Sequence, residues 1–133
     1  MAEIWGIYET VLYGDDLEAL TAFYADALGL RVVDGPDELA AAIRLPDGGM
    51  LLLFAPGPAS RPGRPVPSHG TSGEGHVAFR VPARSLDEWR VMLTARGVAI
   101  EREVEWPAGG RSIYVRDPAG NSVELAAGEL WPA

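Results

Sequence analysis

Apolar and polar positions first alternate and then change period, and that change divides the opening third of the chain. From Ile4 to Tyr13 the pattern has the two-residue repeat of a strand, with Glu9, Val11 and Tyr13 on one face and Tyr8, Thr10 and Leu12 on the other. Asp15 and Asp16 then offer a carboxylate N-cap for a helix. Beyond them the spacing becomes helical: Leu17, Leu20, Tyr24 and Leu28 form one stripe, Phe23 and Ala27 flank it, and Gly29 supplies a left-handed stop. Three short strands are predicted next, Leu30 to Val33, Leu39 to Leu45 and Met50 to Phe54. Turns at Gly35-Pro36 and at Pro46-Asp47-Gly48-Gly49 separate them.

Residues 55–75 break this order. Their density of proline and glycine predicts no regular element, only a linker or mobile flap. The order then returns. His76 to Val81 alternates as a strand, Ser85 and Glu88 have capping-box spacing, and Leu86, Trp89 and Leu93 mark a helix that Gly97 ends. Val98 to Val104, Ser112 to Arg116 and Asn121 to Ala126 complete three further strands. Glu9 and His76 are 67 residues apart, Gly29 and Gly97 are 68, and Gly48 and Gly120 are 72. A slowly growing offset is what a duplicated unit with small loop insertions produces. The predicted fold is α+β, with two βαβββ modules building a curved mixed sheet. Residues 1–57 form the first module, 58–74 a linker or flap, and 75–133 the second, all within one domain.

Composition removes several chemistries. The 133 residues include no cysteine, which excludes thiolate nucleophiles and disulfides, and all 11 basic residues are arginine, which excludes lysine Schiff bases. A net charge of -8 disfavours nucleic acid. No apolar run suits a membrane span and no signal-peptide layout opens the chain, so the expected setting is cytoplasmic.

The repeat also aligns candidate ligands. Glu9 and His76 occupy corresponding places on the first strand of each module, and Leu52 and Glu124 on the last. If the modules face each other about a pseudo-twofold axis, the four positions converge. Three of them are metal-ligand types that leave a divalent ion open positions for substrate; Leu52 is not. Taken singly, each also suits an ordinary role: an exposed strand carboxylate at Glu9, a bystander histidine at His76, a structural acid at Glu124.

These residues resemble the vicinal oxygen chelate superfamily of glyoxalases, bleomycin-resistance proteins, fosfomycin-resistance enzymes and ring-cleaving dioxygenases. The features that carry the likeness are Glu9, Leu12, Asp16-Leu17 and Phe23-Tyr24; Leu28-Gly29-Leu30; Gly75-His76-Val77-Ala78-Phe79; and the run from Asp117 to Leu125. The resemblance implies that Glu9, His76 and Glu124 hold a divalent ion, whether Mn, Zn, Ni, Mg or Fe. It also implies a homodimer, because short two-module members commonly build each site from modules of both subunits.

Tyr114 stands where similar fosfomycin-modifying enzymes keep a substrate-contacting tyrosine, with Ser112 on the same face; a phenol there suits a developing oxyanion. His69, in the flap, suits a general acid or base if the flap closes, or is simply an exposed loop histidine. Trp89, Trp106 and Tyr13 either line a pocket or pack a core. Leu52 departs from the four-ligand glyoxalases, and Val11 with the absent lysine departs from fosfomycin transferases. An acid in place of one histidine makes the site harder than that of an Fe(II) dioxygenase. The expected function is metal-dependent lyase or isomerase chemistry on a small substrate that chelates through vicinal oxygens. Metal-free drug sequestration and ring cleavage with oxygen are the alternatives.

Overall fold

The computed structural model describes residues 1–133 as two compact units, Met1–Ser72 and Gly73–Ala133. In the first, the elements run β1 (Glu9–Tyr13), α1 (Leu17–Ala22), β2 (Arg31–Asp34), β3 (Ala40–Arg44), β4 (Met50–Phe54) and a short α2 (Pro56–Ser60). A π-helical turn, Phe23–Ala27, prolongs α1. The sheet order is β1-β4-β3-β2, with β1 and β4 parallel and the other pairs antiparallel.

The second unit repeats the plan with β5 (His76–Arg80), α3 (Leu86–Ala95), β6 (Arg102–Glu105), β7 (Arg111–Arg116) and β8 (Ser122–Ala127), ordered β5-β8-β7-β6. The registers correspond: Glu9 faces Met50 as His76 faces Ser122, and Val11 faces Leu52 as Ala78 faces Glu124. Glu9 is thus the counterpart of His76, and Leu52 of Glu124, as the repeat predicts.

α1 and α3 each cover one face of their own sheet. Leu12, Leu51, Leu53 and Ile43 of the first sheet are buried along with Leu17, Leu20 and Tyr24 of the helix. In the second unit Ile113, Val115, Val123 and Leu125 are buried with Leu86 and Leu93. Burying a side chain of this size stabilises the fold by about 1.5–3 kcal/mol, so these cores hold the two sheets in place. The opposite faces carry Glu9, Val11 and Tyr13 in one unit and His76, Glu124 and Tyr114 in the other, by strand alternation.

Asp16 caps α1, accepting from the Ala19 amide at 3.1 Å, and Gly29 and Gly97 end their helices at φ of 70° and 78°.

Four expectations are corrected. Residues 4–8 are not strand, because β4 begins at Met50 and offers no ladder beyond Glu9; Ile4, Trp5, Ile7 and Tyr8 are exposed. Residues 98–101 also lie outside β6, which begins at Arg102. Ser85 forms no capping bond: a 3-10 turn, Ala83–Ser85, leads into α3, and the Ser85 hydroxyl instead donates to the Pro82 carbonyl at 3.0 Å. The stretch after Phe54 does hold a helical turn, because Pro56 occupies a first-turn position, where an amide N–H has no helical acceptor to lose.

Candidate metal centre

His76 opens β5 and sits opposite Ser122 on the neighbouring parallel strand. Its Nδ1 lies 3.0 Å from the Ser122 carbonyl oxygen. A carbonyl only accepts, so Nδ1 carries the proton and, in the neutral ring, Nε2 presents a lone pair. That lone pair lies 3.3 Å from Glu124 Oε1. A proton on the ring or a metal ion between the two would each account for an imidazole nitrogen and a carboxylate oxygen at this separation. Donors bonded to one ion at ~2.1 Å, with angles between octahedral and tetrahedral, stand roughly 3.0–3.4 Å apart. The His76–Glu124 pair fits that spacing.

Glu124 is 4% exposed, so its second oxygen requires a partner inside the protein. Ser112 Oγ, directed from β7, donates to Oε2 at 2.5 Å, and Trp106 Nε1 donates to the Ser112 oxygen at 2.9 Å. An indole N–H can only donate, which fixes the direction of the chain: indole to hydroxyl to carboxylate. One oxygen of Glu124 is anchored and the other faces the imidazole. Such outer partners hold a ligand's orientation.

Tyr114 is the direct cross-strand partner of Glu124, and its ring stacks on that of His76 with centroids 6.3 Å apart and planes 19° from parallel. Burial, followed by the negative charge of Glu124, raises the phenol above its ordinary range. It is a proton-bearing donor at neutral pH.

The turn before β8 holds His76 from behind. The Asp117 side chain accepts from the amides of Ala119 and Asn121 and from Asn121 Nδ2, while Asn121 Oδ1 accepts from the Gly75 amide at 2.7 Å. The Asp117-Pro118-Ala119-Gly120-Asn121 run therefore clips the β7–β8 turn to the residue preceding His76. Sequence alone assigns Asn121 no role and leaves Trp106 as a pocket or core residue; the structure ties Trp106 to Ser112 and Asn121 to Gly75. The only local sign was the Asp-to-Asn spacing within a turn, which suits side-chain-to-amide bonding.

Glu9 lies in the first unit, exposed on the open face of β1. Neither unit alone gathers three His, Asp or Glu side chains at one point. His69 is no free loop residue: its Nδ1 is 2.5 Å from Tyr13 Oη, and its ring meets Phe54 edge-on at 4.6 Å. Arg64 lies over the other end of this cluster, 5.5 Å from the Phe54 ring centre.

Comparison with known proteins agrees with this architecture. Residues 6–125 match the family model of the Glyoxalase/Bleomycin resistance protein/Dioxygenase superfamily. The chain belongs to that superfamily. It is 40% identical to a lactoylglutathione lyase from Agrobacterium tumefaciens whose structure superposes with a TM-score of 0.92, over 99% of this chain and 100% of that one. A glyoxalase/bleomycin resistance protein/dioxygenase from Nocardioides is 25% identical, with a TM-score of 0.76 over 100% of this chain and 92% of that one. Biphenyl-2,3-diol 1,2-dioxygenase 3 of Rhodococcus globerulus is 33% identical over 120 residues, covering 86% of this chain. The match spans 59% of that relative's length. No helix is long and apolar enough to cross a membrane.

Proposed function

We propose that the protein is a divalent-metal-dependent lyase or isomerase acting on a small substrate that binds through two adjacent oxygens. The observation that carries this reading is the 3.0 Å contact of His76 Nδ1 with the Ser122 carbonyl, which leaves Nε2 as the free nitrogen, 3.3 Å from a Glu124 oxygen. His76 and Glu124 would hold the ion, with Glu9 as third ligand, supplied by the same chain or by a second copy in a homodimer. Bound there, such an ion supplies electrophilic stabilisation for charge developing on the chelating oxygens. The mixed nitrogen and carboxylate set suits Mn, Zn, Ni or Mg, and tolerates Fe.

The chain's own groups do the rest. Ser112 keeps Glu124 pointed at the site, and Tyr114 offers its hydroxyl to an oxygen that gains charge. His69, held by Tyr13, is a second proton carrier, proposed as general acid or base. The lactoylglutathione lyase likeness favours lyase chemistry, whereas the dioxygenase relative keeps ring cleavage as the competing reading.

Metal content of untagged protein, set beside Glu124→Ala, tests the proposal. Near-stoichiometric metal in the wild type that is lost in the variant supports it. A metal-free wild type that takes up no Mn(II) or Zn(II) on titration refutes it. Turnover that persists without oxygen sets aside the dioxygenase reading.

A further inference from the structure

Beside the His76–Glu124 pair, the open face of the second sheet forms a recess of about 400 Å3, lined by Glu101, Arg102, Val104, Tyr114, Arg116 and Ser122. Two arginines reach it in a protein whose net charge is -8. They differ in availability. Arg116 is spent within the protein, bonding Glu101 at 3.1 Å, Glu74 at 3.2 Å and the Gly120 carbonyl at 2.9 Å. The same contact occupies Glu101. Arg102 is exposed, and none of the chain's ion pairs engages it.

Register places that free cation relative to the pair. Glu124 on β8 faces Tyr114 on β7, and Tyr114 faces Arg102 on β6. The three residues form one row across the sheet, with strands roughly 4.8 Å apart. A ligand gripped beside Glu124 therefore passes over Tyr114 before it reaches the guanidinium.

We infer that Arg102 binds a carboxylate at the far end of the substrate, making it a short acid with chelating oxygens at one end and a carboxylate at the other. Glu124 and Arg102 are two strand spacings apart at the backbone, roughly 9.6 Å. The long Arg102 side chain spans part of that distance, which leaves on the order of three or four bonds between the two groups of the substrate. A guanidinium presents paired donors that match a carboxylate. A phosphoryl group, carrying nearly two negative charges, fits less well, because a single unpaired cation faces it and Glu101 and Glu124 stand nearby.

This inference rests on the proposed metal site, and the test separates the two. Calorimetry compares α-ketoglutarate with α-ketovalerate, which share the chelating end and differ in the distal carboxylate. Each is titrated into Mn(II)-loaded wild type, Arg102→Gln and Arg102→Lys, with Mn(II) affinity measured separately. The expected result is about tenfold tighter binding of α-ketoglutarate by the wild type. Arg102→Gln should erase that preference and Arg102→Lys keep part of it, with Mn(II) affinity unchanged in both. Equal binding of the two acids by the wild type overturns the inference, as does a preference that Arg102→Gln leaves intact. Failure of both acids to bind at roughly 10 mM overturns it too. A wild type that binds no Mn(II) yet keeps an Arg102-dependent preference removes the metal reading and leaves the carboxylate site standing.

Discussion

His76 Nδ1 and the Ser122 carbonyl oxygen meet at 3.0 Å across the parallel ladder that also pairs their backbones. One contact thus turns a sheet register into a tautomer, and the tautomer leaves Nε2 as the nitrogen that the proposed metal site requires. A backbone carbonyl cannot be mutated away, so the arrangement is best tested through the groups around it.

Ser112→Ala removes the hydroxyl that fixes Glu124 Oε2 while leaving the proposed ligand atoms untouched. Metal affinity is expected to fall by about 10–100-fold, the range typical of lost outer partners. Trp106→Phe, one bond further out, should cost less. Metal titration checks both, and unchanged affinity in Ser112→Ala would mean that Glu124 is not a ligand.

Asn121→Ala unties Gly75 from the β7–β8 turn and removes the side-chain amide that donates to buried Asp117 Oδ2. The expected loss is about 1–3 kcal/mol, read by urea denaturation. The His76 ring resonances should shift as well, because the residue before it loses its anchor. A stability loss without that shift would confine the network to the turn.

Gly110→Ala tests packing rather than polarity. A Cβ at this buried position would lie 2.6 Å from the Glu129 carbonyl oxygen and 2.8 Å from that of Ala127, and backbone cannot easily retreat. Destabilisation of about 1–3 kcal/mol is expected, visible as a lower melting temperature. The same loop carries Trp106, whose amide donates to the Gly110 carbonyl, so the indole-to-Ser112 contact should loosen too.

Acid titration should find Asp87 ionised below the usual aspartate range, because Arg90 and Arg111 both bond its carboxylate. Glu103 behaves alike through its pairing with Arg90. A carboxylate whose folded pKa is depressed contributes stability that is fully present above its unfolded pKa. That contribution is lost as pH falls through the folded value. The groups are exposed, so salt should shrink the effect. Carboxyl NMR titrations of wild type and Arg90→Gln, at low and high salt, measure it; midpoints that do not move would deny the pairing.

Tyr13→Phe removes the phenol that holds His69. Loss of about 1 kcal/mol and faster amide exchange near residues 61–70 are expected, with the Phe54 contact retained. Exchange identical to the wild type would show that the aromatic contact alone positions the loop.

How much was legible depended on range. Leu17, Leu20 and Tyr24 announced a buried helical face because periodicity is a property of neighbouring residues, and the structure buries all three. The equivalence of Glu9 with His76 and of Leu52 with Glu124 was legible because duplication leaves matching offsets. Ile4 to Tyr8 misled because alternation describes a face, while a strand also needs a partner, and β4 begins only at Met50. Ser85 misled because the approach of the preceding turn decides whether a capping side chain has an amide to reach.

The amino-acid order alone determined two like modules, their helix faces and stops, and the identity of His76 and Glu124 as candidates. Only the tertiary structure decided that Trp106 and Ser112 would brace Glu124, that Asn121 would anchor Gly75, and that Arg102 would be left without a carboxylate. The physical reason is that residue type and spacing are inherited along the chain. Hydrogen-bond partners are assigned across it, by strands that meet only once the sheet has closed.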